Sequence, residues 1–95
     1  MMYEVDRSIK SFRRDVRAVA KRGYNMSKLE RTITLLADGR PMPQNFRDHP
    51  LKGNFQGYRE CHVDGAGDWL LVYKKEHGKL ILVLTAIGTH ADIFE

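Results

Sequence analysis

The apolar residues of this chain change period partway along it. Up to about residue 38 they recur at the spacing of helix faces, and from about residue 57 they alternate or run together as in strands. Between the two, Gly39 to Pro50 (GRPMPQNFRDHP) contains all three prolines and follows neither period, which predicts an ordered crossing loop. Helices first and hairpin-connected strands afterwards make an α+β domain. A chain of 95 residues has room for one core, so residues 1–95 are expected to form a single domain.

Met2 to Asp6 reads as a short strand, with Ser8 as N-cap of the helix that follows. Ile9, Phe12, Val16, Val19 and Ala20 form that helix's apolar face and Gly23 stops it. A second helix opens on the capping-box pair Ser27 and Glu30, runs through Leu29, Ile33, Leu36 and Ala37, and ends at Gly39. The short link predicts an antiparallel helical hairpin. Strands are then expected over Gly57–Val63, Trp69–Lys74 and Lys79–Ile87, separated by DGAGD and EHG turns. Thr89 can cap a final helical turn. The expected fold is thus an N-terminal strand and helical hairpin packed on one face of an antiparallel sheet.

Charge is distributed unevenly. Residues 1–47 hold 11 Lys/Arg against 5 Asp/Glu, and residues 48–95 hold 5 against 7. Lys10, Arg14, Arg17 and Lys21 fall on one stripe of the first helix, opposite its apolar face, where a polyanion or an acidic protein would meet them. The single cysteine, Cys61, excludes an internal disulfide framework and a multi-thiolate zinc site, and a cytoplasmic location suits it. The charged first ten residues and the short apolar runs predict neither a signal peptide nor a membrane span.

Histidine offers both protonation states near neutral pH, and there are four. His77 lies in the EHG turn and is expected to be an exposed spectator. His49 leaves the proline loop, His62 ends a strand, and His90 follows the last strand. If the middle strand is antiparallel to both neighbours, these three converge at one end of the sheet. Asp68 lies across the hairpin from His62 and is placed to orient a histidine or to move a proton itself. No His-x-x-x-His spacing occurs, so no metal and no cofactor are expected. Cys61 and His62 point to opposite faces of a strand and cannot act as a dyad, which leaves Cys61 as a core residue. Arg59 shares the parity of Cys61, so bringing it beside His62 requires a bulge or strong twist. Trp69 and Phe94 either pack into the fold or stack on an unpaired base, a contact worth roughly 1–3 kcal/mol.

The strings DHPLKGNFQGYRECHV, DWLLVYKK and IGTHADIF together resemble the YafQ family of bacterial toxins within the RelE/ParE superfamily. The resemblance implies a toxin that cuts mRNA in the ribosomal A site and is silenced by a cognate antitoxin. It also implies that His49, His62, Asp68 and His90 are the catalytic set, with Trp69 and Phe94 as the accompanying aromatics. One departure is the segment VDGAG between His62 and Asp68, about two residues longer than usual. Either a looser turn delivers Asp68 or Asp64 takes its role.

These residue types suit metal-free cleavage by the RNA's own 2′-hydroxyl. A histidine or Asp68 would take the 2′-OH proton, and a protonated histidine would give one to the leaving 5′-oxygen. Arg59 or Lys52 would stabilise the phosphate as it gains charge. Lys10, Arg14, Arg17 and Lys21 would meet ribosomal RNA. Two alternatives stand: a ParE-like toxin that inhibits a protein such as gyrase without hydrolysis, and an RNA-binding domain without turnover. Three converging histidines favour the enzyme.

Overall fold

The first apolar stripe becomes α1, Lys10–Lys21, with Phe12 and Val19 buried. Ser8 does not cap it. Ile9 holds the cap position with no side-chain cap bond, and the Ser8 N–H donates to Asp6 Oδ1 at 2.8 Å in a local turn ahead of the helix. The stop at Gly23 is as expected: with φ +85°, its N–H and that of Tyr24 donate to the carbonyls of Ala20 and Val19, closing a Schellman motif. α2, Met26–Ala37, starts one residue before the expected cap, on Asn25, whose side chain accepts the Ser27 N–H. The Ser27–Glu30 box does not form, because both oxygens of Glu30 are taken by the Arg7 guanidinium at 2.7 and 3.0 Å.

The computed structural model describes residues 2–95. Its strands are β1 (Glu4–Asp6), β2 (His49–Pro50), β3 (Arg59–His62), β4 (Leu70–Glu76) and β5 (Ile81–Gly88), and a short α3 (His90–Phe94) closes the chain. The β3–β4–β5 meander is antiparallel, and the sheet order is β1-β5-β4-β3-β2. The sheet is mixed rather than wholly antiparallel. β1 pairs parallel to β5, a partner reached only after both helices and the rest of the sheet, so no tight turn dictates its direction. The proline loop contributes a 3₁₀ turn, Gln44–Phe46, pinned by the buried Phe46, and then β2 at the edge of β3.

Both helices cover the same face of the sheet. Phe12, Val19, Leu29, Ile33 and Leu36 meet Cys61, Leu71, Tyr73, Leu82, Leu84 and Ile87 in one cluster. A register shift opposite Val72 and Tyr73 gives β5 one extra residue, so Leu82, Leu84 and Ile87 all reach this core despite their mixed parity. The opposite face carries two cross-strand rows: His49, Glu60, Val72 and Ala86, and next to them His62, Leu70 and Gly88. Among the described residues no helix is long and apolar enough to cross a membrane.

Candidate active site

β3 ends, β4 begins and β5 ends at the same edge of the sheet, which delivers His62, Asp68 and His90 to one place. His62 Nδ1–H donates to the Gly67 carbonyl at 2.7 Å. A carbonyl only accepts, so the hydrogen of neutral His62 sits on Nδ1 and Nε2 keeps its lone pair. His49 is fixed in the same way, with Nδ1–H donating to the Arg47 carbonyl at 2.6 Å. Its Nε2 lies 3.6 Å from Glu60 Oε1, an ion pair whenever His49 is protonated.

Asp68 accepts the backbone N–H of His90 at 2.9 Å, tying the start of β4 to the start of α3. The helical turn itself is built by a capping box: Thr89 Oγ1 accepts the Asp92 N–H at 3.1 Å and Asp92 accepts the Thr89 N–H at 2.9 Å. Asp92 also pairs with Arg22 at 2.8 Å, and these two sets of donors hold its carboxyl below the ordinary carboxylate range. The His90 ring rests 5.0 Å from that of Phe94, and Phe94 meets Phe55 edge-on at 5.1 Å. Phe94 therefore staples α3 to the turn Gly53–Phe55 and backs the His90 imidazole. Lys52 stands exposed at the start of that turn.

The longer hairpin sets Asp68 against the start of α3 and Asp64 against α2. Asp64 adopts a left-handed φ of 57° in a 3₁₀ turn, Val63–Gly65, that folds towards α2. Its N–H donates to the buried Thr32 hydroxyl at 2.9 Å, and its carboxylate faces Arg31 and Lys28 at 3.7 and 3.9 Å. Gly65 follows with φ +73°, a left-handed conformation that favours glycine. The extra residues are thus absorbed against α2, and Asp64 does not compete for the place of Asp68.

Two expected site residues are engaged by contacts within the fold. Arg59 keeps the parity of Cys61, because the sheet's bulge falls in β5 and not in β3. Its Nε donates to Asp48 Oδ1 at 3.2 Å, and the Tyr73 hydroxyl donates to the same oxygen, so Arg59 is held in a network with Asp48 and Tyr73, in the wall of the cleft that also includes His49. Trp69 is buried edge-on against Tyr24, with ring centroids 4.8 Å apart. Just ahead of β4 it shares the parity of Leu71 and Tyr73, and it packs into the core with them. Cys61 is fully buried, and that burial pushes its thiol up to about 12, which removes the thiolate at neutral pH. His77 is exposed but not a spectator, since its Nδ1 bonds the Tyr3 hydroxyl at 2.9 Å.

One residue the sequence reasoning missed is Glu60. Its side chain is only 8% exposed, and Oε2 has no hydrogen-bond partner among the described residues. Standing two positions before His62 in a strand, it had to share the face of His62, and that spacing was the available signal. Lys10, Arg14, Arg17 and Lys21 are all exposed on α1. Among the described residues no group of three or more His, Cys, Asp or Glu is placed to share a metal ion.

Residues 3–95 match the family described as the YafQ bacterial toxin of type II toxin-antitoxin systems. The mRNA interferase toxin YafQ of Escherichia coli (strain K12) is 40% identical over 84 residues, 87% of each chain. The crystal structure of YafQ from E. coli strain BL21(DE3) superposes with a TM-score of 0.86 at 35% identity, covering 98% of this chain and 99% of that one. The toxin in the E. coli DinJ-YafQ toxin-antitoxin complex gives 0.84 at 35% identity, with both chains wholly covered.

Proposed function

Because the chain belongs to the YafQ family of type II toxins and is an mRNA interferase, we propose that it cuts mRNA held in the ribosomal A site by attack of the RNA's own 2′-hydroxyl. The observation that carries this is the edge where His62, with Nδ1 tied to Gly67, stands beside the Asp68–His90 link. His62 Nε2 takes the 2′-OH proton as the 2′-oxygen bonds to phosphorus. His90 gives a proton to the 5′-oxygen as its bond to phosphorus breaks. The products are a 2′,3′-cyclic phosphate and a 5′-hydroxyl. His49, balanced by Glu60, and Lys52 face the negative charge gathering on phosphate. Asp68 is a positioning residue, holding His90 through its backbone.

A ribosome-bound mRNA with a single 2′-deoxynucleotide at a mapped cut tests the chemistry. Cleavage at that position stops while cuts elsewhere continue, and continued cutting there would rule out 2′-OH attack.

The exposed cations of α1 serve the larger target. We assign Lys10, Arg14, Arg17 and Lys21 to ribosomal RNA phosphates. Neutralising all four with glutamine reduces the slope of log affinity against log salt by about 3, at roughly 0.7 to 0.9 for each phosphate lost. An unchanged slope in ribosome-binding titrations removes that assignment. The E. coli relative is known in complex with the antitoxin DinJ, and a cognate antitoxin is likewise the partner that silences this chain.

A further inference from the structure

Two clefts flank the histidines of the sheet edge. One, of about 530 Å³, is walled by the proline loop and includes His49, Asp48 and Arg59. The other, of about 460 Å³, lies against the long hairpin and includes His62, Asn45 and Gly67. Arg47 lines both and is the one residue they share. Its side chain is exposed, and among the described residues no carboxylate lies within 4.0 Å of it.

The other cations at this edge leave work undone. Arg59 is held by Asp48, and at this end of the sheet β5 presents the uncharged Ala86 and Gly88 on the site's face. Arg47 adds a cation from the loop side. Arg47 is fixed there by its backbone: its N–H donates to the Gln44 carbonyl at 3.0 Å, and its own carbonyl accepts His49 Nδ1–H at 2.6 Å. With φ at +52° it occupies a conformation that favours glycine, so the arginine is there at the expense of backbone comfort.

We infer that Arg47 is the ridge over which the RNA strand passes, its guanidinium gripping a phosphate next to the one that reacts, between a cleft containing His49 and a cleft containing His62. This rests on the ribonuclease function proposed above. A guanidinium holds phosphate by its charge and by charge-assisted hydrogen bonds, and the clefts on either side have the size of sites for small ligands, leaving room for the flanking nucleotides. Arg47 acts as a positioning residue: it sets where the strand lies and transfers no proton.

The left-handed backbone makes glycine the informative replacement, because R47G deletes the guanidinium while relaxing the chain. Single-turnover cleavage of a defined mRNA in programmed ribosomes is measured for the wild type, R47G and R47K, together with their melting temperatures. R47G melts no lower than the wild type and its maximal rate falls roughly ten- to a hundredfold, the worth of one charge-assisted hydrogen bond. Its half-saturating concentration changes by less than about twofold, since α1 and not the loop governs docking. R47K regains most of the rate by restoring the charge. Wild-type rates in R47G, or an equal loss in R47G and R47K, overturn the role of Arg47. A folded wild type that makes no cuts overturns the ribonuclease function itself, and this inference with it.

Discussion

His62→Ala lowers the cleavage rate by roughly 10²- to 10⁴-fold, the usual worth of a positioned proton-transfer group. The fold pays little for the change. His62 is only partly buried at the end of β3, and its one bond is to the Gly67 carbonyl, which faces water once the ring is gone. Loss of rate with an unchanged melting temperature therefore separates chemistry from structure. His62→Gln, which can mimic the bond to Gly67 but cannot take up a proton, stays as slow as His62→Ala. Recovery in the glutamine variant would mean that the ring only shapes the hairpin.

The second large effect has opposite signs in stability and activity. Glu60→Leu unfolds at higher urea concentration than the wild type, by about 1 to 3 kcal/mol, because the carboxylate it replaces is buried with one oxygen unpartnered. Its partner His49 has 47% of its side chain exposed, so the substitution strands no buried charge. Cleavage nevertheless falls at least tenfold, since His49 loses the group that balances its proton beside the phosphate. A residue that lowers stability while raising activity is the expected mark of a site. Wild-type rates in the leucine variant, or a lower urea midpoint, would show that Glu60 is an ordinary strand residue.

Much of this was written in local pattern. The switch of period placed two helices ahead of a meander, Gly23 stopped α1, Thr89 capped α3, and strand parity separated Arg59 and Cys61 from His62. These depend on neighbours a few residues away, where spacing and stereochemistry decide. The caps were displaced by neighbours: Ile9 holds the cap place expected of Ser8, and Asn25 took the place expected of Ser27 while the Arg7 guanidinium bound Glu30. Long-range pairing was illegible. Nothing near β1 announces a parallel partner more than seventy residues on, and nothing in His49-Pro50 announces an edge strand.

The site divides along the same line. The three histidines and Asp68 were expected from motif and topology, and the structure shows the bonds each of them makes. Trp69 looked available for a base, but its place just ahead of β4 sends it against Tyr24. Glu60 and Arg47 were overlooked for different reasons. Glu60 was visible by parity and passed over as one charge among many, whereas the importance of Arg47 emerges only when two clefts are seen to share one wall.

The measurement that bears most directly on the whole account is cleavage-site mapping on a defined mRNA in translating ribosomes, with the antitoxin-free protein and its His90→Ala variant side by side. The capping box of Thr89 and Asp92 keeps α3 formed in the variant, so only the imidazole is lost. Discrete cuts by the wild type that vanish in the variant are the predicted result. Folded protein that leaves the message intact, or cuts that persist without His90, would contradict it.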